Sequence, residues 1–214
     1  MSDSIKPRPY RSARREEAAR ETRGRILDAA RRLFTAEGYA SATIAAVARE
    51  AGVAVDTVYA SVGRKPALFR LLVETAISGV DDAVPAEERD YVRRIRAEGS
   101  ARRKLEIYAA ATRAIHDRLA PLFLVLRAAA PGDPELARLW GEIAERRARN
   151  MRLFAADLLE TGELDPSHDL GEVADIVWAT NSADLYVLLV RERGWPPERY
   201  ERWLADAWCR LLLL

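Results

Sequence analysis

The segment from Thr43 to Phe69 constrains the fold of this chain more than any other. Ala48 lies in the middle of one predicted helix, Gly52 follows it in a predicted turn, and Val58 lies on the next predicted helix. The small Ala48 side chain lets the second helix cross closely, and glycine is favoured in the left-handed conformation that such turns use. This spacing predicts a helix-turn-helix, whose second helix enters the major groove of DNA. An ordinary helical hairpin within an all-α core is the alternative.

The exposed face of this motif predicts the contacts with DNA. Thr43 and Lys65 begin predicted helices whose N-termini approach phosphates, one through its hydroxyl group and the other through its charge. Thr57 is placed to hydrogen-bond a base or touch a thymine methyl group, and Tyr59 to reach a base edge or a phosphate. Packing against the first helix is the alternative for Tyr59. The predicted DNA-binding residues are Thr43, Val55, Asp56, Thr57, Tyr59, Ser61, Arg64 and Lys65.

The same region resembles a known family. The stretch TVYASVGRKPALF is similar to the end of the DNA-binding domain of TetR/AcrR-type repressors, which usually reads T-[LIV]-Y-x-x-F-x-x-K-x-x-L. The upstream stretch ILDAARRLFTAEGYASATIAAVA resembles the first helix, the turn and the start of the second helix in that family. The matching positions are Thr57, Val58, Tyr59, Lys65 and Leu68. The resemblance covers roughly residues 22–72 and implies a homodimeric repressor whose DNA affinity responds to a small molecule.

Two positions depart from the pattern of the family. Val62 stands where an aromatic residue is usual, and Ala54 stands where a serine or threonine normally caps the recognition helix. A missing cap lowers helix stability by about 1 kcal/mol. Asp56, near the positive end of the helix dipole, offsets part of this loss. We expect the departures to change base preference rather than the fold.

Helical periodicity and turn residues predict an all-α protein with two domains. We expect a disordered basic arm over residues 1–14, the helix-turn-helix domain over 15–72, and a helical effector-binding and dimerisation domain over 73–214. The first helix should stop at Gly38, Thr43 should cap the second, and the fourth should begin at Pro66. Later helices are predicted over about 86–98, 101–119, 121–130, 134–161, 169–193 and 197–213.

Charge and composition agree with a nucleic-acid-binding protein of the cytoplasm. Residues 1–65 hold 13 Lys/Arg against 8 Asp/Glu, whereas the remainder holds 21 against 25. A basic N-terminal part on an acidic body suits a DNA reader joined to a sensor domain, although a solvated charged helix gives much of the same asymmetry. The single cysteine, Cys209, fits a reducing compartment, and the polar N-terminus predicts no signal peptide. No window approaches eighteen apolar residues, so we expect no membrane span.

The C-terminal sequence predicts a two-fold dimer. The segment LYVLLV at 185–190 is apolar on every side, and the last helix adds further leucines and tryptophans. Two such helices paired with their symmetry mates would bury this surface. A dimer also suits reading of two half-sites roughly 34–36 Å apart, or a multiple of that repeat. The predicted interface residues are Val187, Leu188, Trp203, Ala207 and Leu211.

Polar groups on aromatic-rich helical faces predict a small-molecule site. Tyr108, Thr112 and His116 lie nearly in line on one predicted helix, and Arg147 falls on the apolar side of another. The alternative is that Arg147 reaches solvent and His116 is an ordinary, satisfied histidine. We expect a mainly apolar, aromatic ligand with a carbonyl or anionic group, because a buried cation needs a partner. The predicted ligand-binding residues are Tyr108, Phe123, Arg127, Trp140, Arg147, Trp178 and Asn181.

No pattern in the sequence predicts catalysis, a metal or another cofactor. The chain has no G-x-G-x-x-G, Walker, G-x-S-x-G or H-E-x-x-H motif. The interpretation is a homodimeric, ligand-responsive repressor, whose partners are a palindromic double-stranded DNA operator and an effector. Two alternatives stay open. One is a sequence-tolerant architectural DNA-binding protein without an effector, and the other is an all-α carrier or enzyme with a vestigial helix-turn-helix.

Overall fold

The described part of the chain is mostly helical. The computed structural model describes residues 9–80 and 84–214, with side chains from Arg14 onward. In these ranges no strand is present, and the only β pairing is an isolated bridge between Leu164 and Leu213. The chain divides into two compact units, one ending at Leu72 and the other comprising Val73–Leu214. The predicted all-α fold is confirmed.

The N-terminal unit is built from a long helix followed by three shorter ones. A core of Ile26, Phe34, Val58, Leu68 and Phe69 is almost fully buried. The aromatic rings add directional contacts, since Phe34 and Phe69 meet edge-to-face with ring centroids 5.2 Å apart. The helices are α1 (Pro9–Ser41), α2 (Ile44–Ala51), α3 (Val55–Val62) and α4 (Lys65–Ser78), of which α4 continues past Leu72 into the second unit.

The beginning of α1 differs in part from the expected disordered arm. Residues 1–8 of that arm lie outside the described residues. Residues 9–14 are helical, because α1 begins at Pro9 and proline is well tolerated in a first helical turn. At the other end, Gly38 has a non-helical conformation with φ of 79°, which interrupts α1 where the sequence predicts a stop.

The C-terminal unit is a bundle in which α7 packs on α8 and α6 packs on α10. Its core is centred on aromatic side chains, with Tyr108 stacked on Trp208 and Tyr186 set edge-to-face on Tyr200. The helices are α5 (Asp90–Ala97), α6 (Ala101–Ala129), α7 (Pro134–Leu159), α8 (Leu170–Thr180), α9 (Ala183–Tyr186) and α10 (Pro197–Leu212), with short 3₁₀ turns at Ala86–Glu88 and Ala130–Gly132. A π-helical turn, Val187–Glu192, continues α9.

Three helix boundaries in this unit differ from the sequence-based expectation. The expected helix over 86–98 is divided at Arg89, whose backbone is extended with φ of −69° and ψ of 138°. Pro121 lies inside α6, which runs on without the predicted break. The expected helix over 169–193 is instead divided at Asn181 and Ser182. The Ser182 hydroxyl accepts a hydrogen bond from the backbone N–H of Leu185 and so begins a new helix. Asn and Ser favour such breaks because their side chains compete for backbone groups.

Candidate DNA-binding surface and ligand cavity

The turn between α2 and α3 has the predicted geometry. Gly52 adopts the left-handed conformation, with φ of 67° and ψ of 39°, and its N–H donates to the carbonyls of Ala48 and Arg49. The N–H of Val53 also donates to Ala48, at 3.0 Å. Thr43 caps α2, with its hydroxyl oxygen accepting from the N–H of Ala46 at 3.1 Å. The predicted cap and left-handed turn are therefore confirmed.

One side of α3 is buried and the other faces solvent. Val58 is fully buried and Val62 nearly so, which holds the helix against its own unit. Val55, Asp56 and Tyr59 are exposed, and Thr57 and Ser61 are partly exposed. Tyr59 is 48% exposed, so its side chain is available on the outer face rather than packed into the core. As the sequence predicts, no side chain caps α3 at Ala54.

Positive charge flanks this face. Arg64 is exposed in the turn before α4, and Lys65 is partly exposed at the first position of α4. The Lys65 ammonium group donates to the carbonyl oxygen of Ala40 at 3.2 Å and lies 4.5 Å from the ring centroid of Tyr39. These contacts hold the Lys65 side chain near the end of α1, which fixes its charge in place. The Thr43 side chain is exposed beside its cap bond.

The C-terminal unit contains a cavity of about 290 Å³ that is partly open to solvent. Its wall is mainly apolar, with isoleucine, leucine, valine and aromatic side chains from α5, α6 and α7. Polar groups interrupt this apolar surface, which is the usual design of a small-molecule site. They include Tyr108, Thr112, His116, Arg147, Asn150 and Asn181, and the charged side chains of Glu87, Arg89, Arg96, Arg146 and Asp157 also line the cavity.

Asn181, at the break between α8 and α9, joins several of these groups. Its side-chain N–H₂ donates to the Tyr108 hydroxyl at 2.7 Å, and its side-chain oxygen accepts from Arg147 at 2.5 Å. Its backbone carbonyl lies 2.9 Å from Nε2 of His116. Asn181 is almost fully buried, so these bonds replace the hydration that it loses on folding. One residue therefore ties α6, α7 and the α8–α9 junction together beside the cavity.

His116 is neutral in this environment. Its side chain is only 5% exposed, and burial lowers its pKa to about 4. Because a carbonyl oxygen accepts but never donates, the bond to Asn181 assigns the proton to Nε2 and leaves a lone pair on Nδ1. Nδ1 is buried and has no hydrogen-bond partner among the described residues.

Arg147 brings a positive charge to the cavity wall. One terminal nitrogen donates to the carbonyl of Trp178 at 2.7 Å as well as to Asn181, and the guanidinium lies 5.2 Å from the Trp178 ring centroid. No carboxylate in the described ranges forms an ion pair with it. Burial lowers the Arg147 pKa, although arginine stays protonated at neutral pH. By contrast, Arg146 on the same wall pairs with Glu74 at 2.9 Å.

The structure gathers only some of the predicted ligand-binding residues. Tyr108, Arg147 and Asn181 line the cavity, whereas Phe123, Arg127, Trp140 and Trp178 lie outside its lining. Those four have other contacts. The Phe123 and Trp140 rings lie against each other with centroids 5.3 Å apart, Arg127 forms an ion pair with Asp184, and Trp178 is covered by Arg147. Helical spacing identifies apolar faces, but it does not show which faces meet around a cavity.

The cavity also includes residues that were not among the predicted ligand-binding set. His116 and Thr112 belong to it. Tyr108, Thr112 and His116 follow one another at intervals of four residues, and this spacing is the signal that places all three on one face of α6. Tyr91 and Ile95 of α5 contribute as well. Nothing in the sequence of α5 distinguishes these two from residues of an ordinary amphipathic helix.

The predicted dimer residues separate into two groups. Val187 is 3% exposed and belongs to the hydrophobic core of its own unit, so its place in the predicted interface is corrected. Leu188, Trp203 and Leu211 are exposed and Ala207 is half-buried. The segment at 185–190 is apolar on all sides, and one of these sides faces the core. Only the other side is left for a partner.

The structure gives less support to a metal site or to a membrane-spanning segment. Among residues 9–80 and 84–214, no three His, Cys, Asp or Glu side chains are grouped so as to hold a metal ion. One segment, Leu170–Glu192, is long and apolar enough to cross a membrane by length and composition, a criterion that core helices of globular proteins also meet. In this structure its Val173, Val177 and Tyr186 side chains are part of the core.

Comparison with known proteins agrees with the geometry of the N-terminal unit. Residues 26–72 match the profile of the bacterial regulatory proteins of the TetR family. Residues 26–72 are therefore a TetR-type, helix-turn-helix DNA-binding domain. Among curated proteins, none is significantly similar to this chain in sequence.

Solved structures of several regulators have the same fold over most of the chain. NalD, the secondary repressor of the MexAB-OprM multidrug efflux pump in Pseudomonas aeruginosa, is 21% identical with a TM-score of 0.70, over 92% of this chain and 98% of that one. A protein described as a transcriptional regulator from Saccharomonospora viridis, in complex with choline, is 19% identical with a TM-score of 0.67, over 91% and 98%. The fatty acid degradation regulator FadR from Bacillus halodurans is 17% identical with a TM-score of 0.63, over 87% and 93%. At these identities the likeness concerns the fold alone.

Proposed function

We propose that this chain is a TetR-family transcriptional regulator, a homodimeric repressor that binds a palindromic operator and releases it when a small molecule occupies the cavity. The observation that carries the proposal is a cavity with both polar and apolar lining on the same chain as an exposed recognition helix. The chain would act in the cytoplasm, where its operator is.

In the proposed complex, α3 lies in the major groove. Thr57 and Tyr59 contact base edges, with Val55 and Ser61 at the margins of the same face. Asp56 either accepts from a cytosine amino group or serves the dipole of α3 alone. Thr43, Arg64 and Lys65 contact phosphates on the two sides of the groove.

The dimer would form through the outward side of α10 and of the π-helical turn. Along α10, Tyr200, Leu204, Trp208 and Leu212 repeat every four residues and are buried in the unit. A neighbouring stripe, Trp203, Ala207 and Leu211, repeats at the same spacing and faces outward, as does Leu188. A helix with apolar residues on two sides is normally covered on both. A second copy of the chain would cover this stripe in a two-fold interface, which would also present two recognition helices to two half-sites.

Ligand response would be a population shift. A molecule that binds more tightly to the DNA-free arrangement of the dimer would favour that arrangement by its difference in affinity. The helix α4 is the element that continues from the DNA-binding unit into the unit with the cavity, since Ile77 near its end lines the cavity wall. We propose that α4 carries the coupling.

Selection of bound sequences from random DNA duplexes tests this function. We expect a palindrome with half-sites separated by one or more helical turns. Binding without sequence preference would favour the architectural alternative instead. Failure to bind any duplex would favour a carrier or enzyme that has kept an unused helix-turn-helix.

A further inference from the structure

We propose that the cavity recognises the hydroxyl group of an otherwise apolar molecule, through a hydrogen bond donated to Nδ1 of His116 and another accepted from Arg147. The inference rests on the proposed function, because it names the chemistry of the ligand for the same cavity. A single hydroxyl group meets both requirements, since it carries one donor and two acceptor lone pairs.

The first requirement comes from His116. Its Nε2 donates to the Asn181 carbonyl, so Nδ1 is an acceptor. This atom is buried without a partner, in a side chain that lines the cavity. Buried polar atoms in folded proteins nearly always have a partner, and leaving one without a partner destabilises the fold. A ligand donor, O–H or N–H, is the missing partner.

The second requirement comes from Arg147. Its bonds to Trp178 and Asn181 both use the same terminal nitrogen, which leaves the other terminal nitrogen and Nε without a described acceptor. Arg147 and His116 both line the cavity and both bond to Asn181, one at its side-chain oxygen and the other at its backbone carbonyl. A ligand oxygen placed there accepts from Arg147 while its hydrogen is directed to His116.

The rest of the wall defines the body of the ligand. Tyr91, Ile95, Met151 and Phe154 offer an apolar surface from α5 and α7. Glu87 and Asp157 also line the cavity, so its wall carries charges of both signs.

Two probes of similar shape test the hydroxyl requirement. 4-Propylphenol carries a hydroxyl group, whereas 4-propylanisole carries the same oxygen as a methyl ether, which still accepts from Arg147 but has no hydrogen for His116. Binding to the full-length protein is measured by isothermal titration calorimetry in the absence of DNA. We expect the phenol to bind roughly tenfold more tightly than the ether, the usual range for one buried hydrogen bond. Equal affinities, or no binding of the phenol, would overturn the proposal.

Two variants assign the effect to the two side chains. His116→Phe should bring the phenol-to-ether ratio of affinities close to one, because the acceptor is gone. Arg147→Met should weaken both probes and leave the ratio unchanged, because both probes keep the oxygen. Phe123→Leu is the matched control, since this ring lies outside the cavity lining, and it should retain the wild-type ratio. A ratio that is unchanged in His116→Phe would refute the assignment. If that variant does not fold, the wild-type ratio and Arg147→Met still decide the outcome.

Failure of this inference is distinguishable from failure of the proposed function. Binding of the probes is measured without DNA, and release of the selected operator is measured separately by fluorescence anisotropy. A tenfold preference for the phenol without operator release would uphold the ligand chemistry and contradict ligand-responsive repression. Equal binding of both probes with operator release would do the reverse.

Discussion

The uncapped start of the recognition helix allows a quantitative prediction. At Ala54 the backbone already has the extended conformation of an N-cap, with φ of −69° and ψ of 151°, and its carbonyl accepts from the N–H of Thr57 at 3.0 Å. Only the side-chain acceptor is missing. In Ala54→Ser, the hydroxyl oxygen should accept from the N–H of Asp56 or Thr57 without any change of backbone. Ala54 is exposed, so the added oxygen meets no crowded side chain.

The expected gain is about 1 kcal/mol, the typical value of an N-cap serine relative to alanine. This energy corresponds to about a fivefold change in the equilibrium of local opening. Hydrogen–deuterium exchange of the full-length protein reports this equilibrium separately for each helix. Amides of α3 should therefore exchange about five times more slowly in Ala54→Ser.

Two further variants serve as controls for the cap argument. Thr43→Ala removes the cap bond of α2 and should speed exchange in α2 by a similar factor. Ala60→Ser places the same hydroxyl in the exposed interior of α3, where serine lowers helix stability by about 0.5 kcal/mol. Exchange in α3 that is no slower in Ala54→Ser than in wild type would refute the reasoning, because the geometry of the cap would then not be limiting.

Other predictions concern DNA binding, assembly and pH. Lys65→Ala should weaken binding to all DNA duplexes about equally and reduce the slope of log affinity against log salt concentration by about one unit. Thr57→Ala should instead relax the base preference at one or two half-site positions. A Lys65→Ala variant with unchanged affinity and slope would contradict the phosphate contact. In sedimentation at micromolar concentration, Leu188→Glu should convert the dimer to monomers without lowering the melting temperature of the monomer. Val187→Asp should instead unfold the C-terminal unit. A dimer that persists in Leu188→Glu would argue against this interface. Because burial holds the His116 pKa at about 4, below its unfolded value of 6.5, the contribution of this neutral side chain is complete above pH 6.5 and is lost as the pH falls toward 4. Urea titrations should show this loss, up to about 3 kcal/mol, and its absence in His116→Phe.

The features that the sequence predicted well depend on residues that are adjacent along the chain. The left-handed Gly52, the cap at Thr43 and the missing cap at Ala54 follow from the backbone preferences and hydrogen bonds of a few adjacent residues. The buried and exposed sides of α3 follow from helical periodicity, which places Val58 on the buried side and Tyr59 on the exposed side. Such features are encoded within a turn or two of helix, so a pattern of residues is enough to recognise them.

The helix boundaries of the C-terminal unit are less local. Proline normally interrupts a helix, yet α6 continues through Pro121, because packing along both halves of the helix outweighs the lost backbone bond. Conversely, the apolar run from 169 to 193 predicts one helix, and Ser182 begins a second helix within it. In each case a local preference competes with tertiary contacts, and the sequence does not show which is stronger.

What the sequence by itself determined is the class of fold, the helix-turn-helix and the presence of apolar faces for a core and a partner. Only the tertiary structure decided how those faces meet. Helical period does not distinguish Val187 from Leu188 within an apolar run, and the packing of the bundle buries one and exposes the other. Likewise, the Nδ1 lone pair of His116 is available because a carbonyl 65 residues further along the chain accepts a hydrogen bond from Nε2, which therefore carries the proton. The physical reason is that burial and tautomer depend on neighbours in space, which the order of residues along the chain does not specify.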